Sequence, residues 1–376
     1  MAYDGNTYKE EPVRIAEVLG NAATGGVMNW LMNFYRHIDR SRIQFDFYMY
    51  APSPYDDEIR ALGGRVFYYP GVVTHVFGAI RTLKKAFKKE KYPIVHVHMT
   101  TLSFVALYAA KRAGVKRRIC HAHSTADRAE GWKWIVKNML KPLAGLFATD
   151  LAGCSELGID WLYGRKAKDA VLIHNAIDTA RFAGAYAEVA AADADDEAPV
   201  KTIGFIGRFE KQKNVGYLVE VFKDVAAARK DVRLLLVGAG REYAEIVEKV
   251  KKLGLTERVE FRDWCNDIER YYAEIDVLAL PSLFEGLPMV AVEAQAAGIP
   301  CVLSDNITKE AAVTPKCEFV PLADRGKWVE ALSRALDEGR EYGTRALEGS
   351  AYDIRTEADK LTEYYLEKVA EGGGRE

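Results

Sequence analysis

Glu285 and Glu293 stand eight residues apart in the stretch Pro-Ser-Leu-Phe-Glu-Gly-Leu-Pro-Met-Val-Ala-Val-Glu-Ala. The spacing puts one carboxylate on a glycine-containing turn and the other inside an apolar helix. Pro288 suits the first turn of that helix, and Gly298 suits the residue just past its end. A carboxylate among Met289, Val290, Ala291, Val292 and Ala294 is costly unless something binds it. The helix N-terminus adds free N–H groups suited to an anion. Together they could hold a hydroxyl-rich, phosphate-bearing ligand. Fully helical spacing would separate the two glutamates by roughly 12 Å. That is wider than the roughly 5 to 9.5 Å of a glycosidase carboxylate pair, and suits opposite ends of one ligand.

A second group is cationic. Gly207-Arg208-Phe209-Glu210-Lys211-Gln212-Lys213 follows an apolar run read as a strand. Cations at the C-terminal end of a parallel strand face the crevice where such sheets bind ligands. Arg offers a planar fork to phosphate and Lys a point charge. A solvated charge run is the competing reading. A third group is imidazole. His98 ends Val-His-Val-His, and His121 and His123 lie in Cys-His-Ala-His-Ser-Thr, so three of the seven histidines fall at strand ends. Neither an acidic nor a cysteine partner shows metal-ligand spacing. The histidines are therefore expected to line a polar cleft, with His123 the functional one. The loop Gly20–Gly26 precedes a helix in the position of a ligand-binding turn, without the spacing of a dinucleotide loop or a P-loop.

The elements that must position these groups alternate along the chain. Strands are expected at 13–19, 44–50, 65–69, 94–98, 118–121, 150–153 and 170–173. A second series is expected at 202–206, 233–237, 259–261, 277–280, 301–304 and 318–320, with helical patterns between most of them. This alternation predicts two doubly wound parallel sheets. The small, acidic stretch 184–199 reads as a solvated linker. At 376 residues the chain fits two domains. We expect an N-terminal domain over 1–175, joined by a C-terminal helix over 352–376, and a second domain over 176–351.

Composition excludes some function classes. Lys plus Arg is 52 against 54 for Asp plus Glu, which gives no whole-molecule case for nucleic acid. Five scattered cysteines fit a reducing compartment, and no apolar run approaches a membrane span. The expected location is cytoplasmic. Two basic, amphipathic stretches, 77–92 and 132–143, have the composition of interfacial helices and suggest peripheral contact with the inner membrane face. An ordinary surface helix is the alternative for each.

The glycine loop, the strand-end His-Ser, Gly-Arg-x4-Lys and Glu-x7-Glu occur in order. This resembles glycosyltransferase family 4, retaining enzymes of the GT-B fold, with two Rossmann-like domains and a cleft between them. The His-Ala-His-Ser stretch is similar to capsular and exopolysaccharide transferases. The resemblance spans roughly residues 13 to 366. It implies transfer of a hexose from a nucleotide-sugar, expected to be a UDP-sugar, to a saccharide or lipid-linked acceptor. By the resemblance, Arg208 and Lys213 neutralise the donor diphosphate, with Lys211 as local competitor to Lys213. Glu285, with Gly286, Leu287 and Pro288 beside it, sits near the transferred sugar. Glu293 holds the ribose and Gly26 lies near the phosphates. His123 lies near the sugar, and Trp264 and Cys265 fall where the base is held. The catalytic set is then Glu285, His123, Arg208 and Lys213. No metal or other cofactor is expected, because cations and a helix N-terminus can stabilise the leaving group. A nucleotide-sugar epimerase and a non-catalytic nucleotide-sugar-binding protein are the rival readings.

Overall fold

The computed structural model describes residues 11–20, 25–125, 131–182, 200–265, 267–341 and 347–373. The chain divides into two compact units. Unit 1 is Met1–Ala176 with Asp353–Glu376, and unit 2 is Ile177–Tyr352.

Unit 1 carries seven strands: β1 (Val13–Val18), β2 (Ile43–Met49), β3 (Arg65–Tyr68), β4 (Ile94–Val97), β5 (Arg117–Ala122), β6 (Asp150–Gly153) and β7 (Ala170–Leu172). All pair in parallel, in the order β3-β2-β1-β4-β5-β6-β7. Its helices are α1 (Gly26–His37), α2 (Asp56–Ala61), α3 (Val76–Glu90), α4 (Ser103–Ala113), α5 (Trp132–Leu140) and α6 (Glu156–Tyr163). The strands are short and apolar because both faces of a parallel sheet are covered. One core holds Ile15, Phe34, Phe45 and Phe47, and another holds Val95, Val97, Leu83 and Phe87. Asp46 is fully buried within β2. It is tolerated there because Arg14, Arg65 and Tyr92 all donate to it, and these donors hold its carboxyl below the usual range despite burial.

Unit 2 carries β8 (Lys201–Ile206), β9 (Val232–Val237), β10 (Val259–Arg262), β11 (Val277–Leu280), β12 (Cys301–Ser304) and β13 (Cys317–Val320). They are parallel in the order β10-β9-β8-β11-β12-β13. Its helices are α7 (Val215–Ala228), α8 (Tyr243–Lys252), α9 (Glu269–Glu274), α10 (Met289–Ala296) and α11 (Arg325–Glu338). The last helix, α12 (Ile354–Gly373), belongs to unit 1 and buries Ile354, Ala358, Leu361 and Tyr365 in its core.

Every strand expected from the apolar runs is present, with ends shifted by at most one residue. In each sheet the strand order reverses once, between β1 and β4 in unit 1 and between β8 and β11 in unit 2. Such switch points leave a crevice at the strand C-termini. The acidic stretch 184–199 lies outside the described residues, as do residues 21–24 of the glycine loop.

Candidate functional site

The switch point of unit 2 gathers most of the expected site. Arg208 and Lys213 leave the end of β8, and Pro281 to Glu285 leave the end of β11. The two segments are stitched together: Leu283 N–H donates to the Gln212 carbonyl at 2.8 Å, Gln212 Nε2 to the Phe284 carbonyl at 3.0 Å and Asn214 Nδ2 to the Pro281 carbonyl at 3.2 Å. Glu285 also forms an isolated parallel bridge to Ile307. Its backbone is thereby fixed before the helix begins.

Lys213 Nζ is ion-paired with Glu285 Oε1, and Ser282 Oγ donates to the same oxygen at 2.8 Å. Their side chains are only 14% and 10% exposed, so the pair is shielded from solvent. The resemblance gave these residues to different parts of a donor; the fold places them against each other. Arg208 is exposed, and among the described residues its guanidinium has no hydrogen-bond or ion-pair partner. Lys211 lines a different surface hollow, with Tyr217 and Lys249, whereas Lys213 lines the pocket beside Glu285.

A pocket of about 390 Å³ is lined by Gly207, Arg208, Lys213, Gly238, Trp264 and Glu285, among others. Gly238 shapes it. Its φ is +136°, and a Cβ there would fall 2.0 Å from the Gly207 carbonyl oxygen, so only glycine lets the ends of β8 and β9 approach this closely. Trp264 presents an exposed ring on the rim, while Cys265 packs against the core of the unit.

Glu293 sits in the middle of α10 and does not line that pocket. Tyr272 donates to its Oε2 at 2.5 Å. Burial pushes its carboxyl up, against the opposing pull of the Tyr272 hydrogen bond and the Arg181 charge. Pro288 is the N-cap of α10, with φ −76° and ψ 105°, rather than a residue of its first turn. Helix therefore covers only the second half of the Glu285–Glu293 interval, and the fully helical separation does not apply. Gly298, at φ +73°, follows the helix end as expected. Gly286 is exposed and Leu287 half-buried, beside the turn.

In unit 1, Gly26 is the first residue of α1, and Gly25 caps that helix without a side chain. The histidines behave differently from expectation. His96, His98 and His121 are buried, while His123 is half-exposed. They form one network with a residue the sequence did not single out. Glu17, fully buried on β1, meets His98 Nε2 at 2.7 Å, and His98 Nδ1 meets His123 Nε2 at 2.7 Å. Tyr365 of α12 donates to the other Glu17 oxygen at 2.9 Å and meets His96 Nδ1 at 2.6 Å. His96 Nε2 meets His121 Nδ1 at 3.0 Å. Trp30 packs its ring on His98, His121 and His123. Desolvation pushes the Glu17 carboxyl up to about 8 and His98 down to about 3, and drives His96, His121 and His123 well below the usual imidazole range. The signal for Glu17 was a carboxylate set between Ala16 and Val18 near the end of β1.

Metal ligation also reads differently in three dimensions. Spacing alone showed no cysteine partner, but the fold brings Cys154 beside His121 and His123. Ligand atoms of His121, His123 and Cys154 lie within 4.8 Å of one another, as do those of His96, His98 and His121. In the second trio both ring nitrogens of His96 and of His98 are already hydrogen-bonded within the network. The chain's one Asp-x-Asp, Asp193-Ala194-Asp195, lies outside the described residues.

The two basic stretches part company. α3 buries Ala79, Leu83 and Phe87 against its own unit, leaving Phe77 exposed at its start. α5 exposes Trp132, Ile135, Val136 and Met139, and Leu143 and Leu146 continue that exposure beyond it. Among the described residues no helix is long and apolar enough to cross a membrane.

Comparison with known proteins agrees in both units. The model of "Glycosyltransferase Family 4" matches residues 24–181, and that of "Glycosyl transferases group 1" matches 200–338. EpsF of Bacillus subtilis (strain 168), named as a glycosyltransferase, is 33% identical over 373 residues, covering 94% of this chain and 96% of that protein. An Escherichia coli UDP-Gal:alpha-D-GlcNAc-diphosphoundecaprenol alpha-1,3-galactosyltransferase is 28% identical over 347 residues, covering 84% and 85%. Among solved structures, Anabaena Alr3699/HepE in complex with UDP and glucose superimposes with a TM-score of 0.70 at 17% identity, over 94% of this chain and 99% of that one.

Proposed function

The chain belongs to glycosyltransferase family 4 and is a GT-B glycosyltransferase of polysaccharide synthesis, and from that premise we propose that it is a retaining, metal-independent hexosyltransferase using a UDP-sugar. The observation that carries this reading is the meeting of Lys213, Glu285 and Arg208 around one pocket at a sheet switch point. Breaking the bond between the anomeric carbon and the donor diphosphate leaves negative charge on phosphate. Arg208 and Lys213 are the cations in reach of a diphosphate in that pocket, and fixed charges there lower the barrier without solvent reorganisation. The incoming diphosphate takes over Lys213, which releases Glu285 to the hydroxyls of the transferred sugar. Glu293, oriented by Tyr272, takes the ribose hydroxyls. Trp264 offers a ring face to the base.

The relatives favour a uridine donor. The Escherichia coli relative is named for UDP-Gal, and the Anabaena neighbour was solved with UDP. The former is also named for a diphosphoundecaprenol-linked acceptor. A lipid-linked saccharide is accordingly the acceptor we favour, presented at the membrane face. The support within this chain is α5, whose exposed Trp132, Ile135 and Met139 lie near Lys137 and Lys141, the make-up of an interfacial helix.

Acceptor dependence tests the reading. Protein incubated with UDP-hexoses and a chelator releases UDP quickly only when a lipid-linked saccharide is added, and the product keeps the anomeric configuration of the donor. An epimerase would instead convert the sugar nucleotide with no acceptor present. Turnover that requires added divalent metal would contradict metal independence.

A further inference from the structure

Glu17, His98 and His123 form a hydrogen-bonded line from the centre of unit 1 to a half-exposed imidazole. A neutral imidazole carries one N–H and one lone pair, so each link in such a line dictates the next. Both nitrogens of His98 are engaged. Among the described residues, the Nδ1 of His123 has no hydrogen-bond partner.

The second branch of the network fixes the rest of the proton count. Among the described residues, His121 Nε2 is buried with no hydrogen-bond partner. A buried N–H left without an acceptor is rarer in folded proteins than an acceptor left without a donor. His121 therefore keeps its proton on Nδ1 and donates to His96 Nε2. His96 Nδ1–H then donates to the Tyr365 oxygen, and the Tyr365 hydroxyl donates to Glu17 Oε1. With the imidazoles neutral, this pattern leaves open the protonation of Glu17 Oε2, facing His98.

We propose that Glu17 is a positioning residue that acts through His98 to decide which nitrogen of His123 carries the proton. With Glu17 ionised, His98 Nε2–H donates to it, His98 Nδ1 accepts from His123 Nε2–H, and His123 presents a bare Nδ1 as an acceptor. With Glu17 protonated, its O–H donates to His98 Nε2, His98 Nδ1–H donates to His123 Nε2, and His123 presents Nδ1–H as a donor. No residue becomes charged except the carboxyl itself. One proton gained at Glu17 moves two protons along the line and reverses the hydrogen-bonding sense of His123.

Among the described residues, the groups facing Glu17 are His96 of β4, His98 just past the end of β4, and Tyr365 of α12. His121 of β5 and His123 just beyond that strand stand behind them. Trp30 of α1 covers the imidazole rings without bringing a charge. Among the described residues no cation compensates the carboxylate, and burial pushes its titration up to about 8, within reach of ordinary buffers. The bearing on sugar transfer rests on the function proposed above; the tautomer itself does not.

The test reads the tautomer directly. In full-length protein labelled with ¹⁵N-histidine, two-bond nitrogen–proton spectra distinguish Nδ1–H from Nε2–H, and His123→Ala assigns the resonances. In the wild type, His123 changes from Nδ1–H to Nε2–H as pH rises through the Glu17 titration. In Glu17→Gln the Tyr365 hydroxyl holds the amide oxygen, the NH₂ faces His98, and His123 stays Nδ1–H throughout. A His123 tautomer that is constant with pH in the wild type, or identical in both proteins on the alkaline side, overturns the proposal. The wild-type titration decides it alone if Glu17→Gln does not fold. In the transfer assay, kcat of the wild type changes across the same titration, and Glu17→Gln is flat with an unaltered donor KM. A tautomer switch with no kcat change would leave the switch standing and remove His123 from the reaction.

Discussion

The two units place their polar residues at the same topological position and treat them in opposite ways. In unit 2 the switch point between β8 and β11 holds full charges beside an open pocket: Arg208 exposed, Lys213 and Glu285 paired. In unit 1 the switch point between β1 and β4 holds Glu17, His96 and His98, sealed under Trp30 and α12. The first arrangement keeps charge available to a ligand that brings its own. The second suppresses charge by desolvation, so that its residues work as hydrogen-bond donors and acceptors. Equivalent places in two similar sheets thus supply different chemistry, set by how much water each admits.

The largest effect expected of this difference is at Lys213. Lys213→Ala removes a diphosphate cation and leaves Glu285 shielded without its partner. It should lower kcat/KM for transfer by roughly 10²–10³-fold, the scale of losing one stabilising group in a water-poor site. Steady-state kinetics check this, and a loss under about tenfold would place the leaving-group charge on Arg208 instead.

Much of the unit 2 site was legible in the sequence. Gly207–Lys213 and Pro281–Pro288 each follow an apolar run at a fixed spacing, and strand ends are where parallel sheets collect ligand-binding residues. The pairing of Lys213 with Glu285 was not legible, because it depends on two loops stitched together across 72 residues, as by the Gln212 side chain donating to the Phe284 carbonyl. Pro288 was misplaced by one position for a related reason: Glu285 is held in a bridge to Ile307, which delays the helix. In unit 1, the strand-end histidines were visible but their role was not. Glu17 and Tyr365 lie 348 residues apart, and only the return of α12 brings the donor that completes the network. The apolar faces of α3 and α5 look alike in sequence; packing on the sheet separates them.

The second effect concerns stability against pH. A carboxyl raised from 4.5 to about 8 by folding contributes stability that is complete below 4.5 and lost as pH rises through about 8. Histidines depressed by burial, such as His98 from 6.5 to about 3, act in the other direction. They contribute fully above 6.5, and that contribution is lost as pH falls below it. Between 4.5 and 6.5 the two oppose, with four histidines outweighing one carboxyl. The histidine cluster should therefore make its largest contribution near pH 6.5 and decline toward 8. Thermal melts across this range should show an alkaline decline in the wild type that flattens in Glu17→Gln. Parallel curves would mean that Glu17 titrates near its ordinary value.

The smallest effect belongs to the exposed helix. Met139→Glu places a charge in the apolar stripe of α5 and should weaken co-sedimentation with anionic vesicles by a few-fold, leaving turnover of a water-soluble acceptor unchanged. Unaltered sedimentation would remove α5 from the membrane reading.

Donor binding tests the central claim most directly. Titration calorimetry of UDP-, GDP- and ADP-sugars in chelator compares the wild type with Lys213→Ala and Glu293→Ala. A UDP-sugar should bind the wild type, and bind both variants more weakly. Equal affinity in all three proteins, or no binding without a divalent metal, would contradict it.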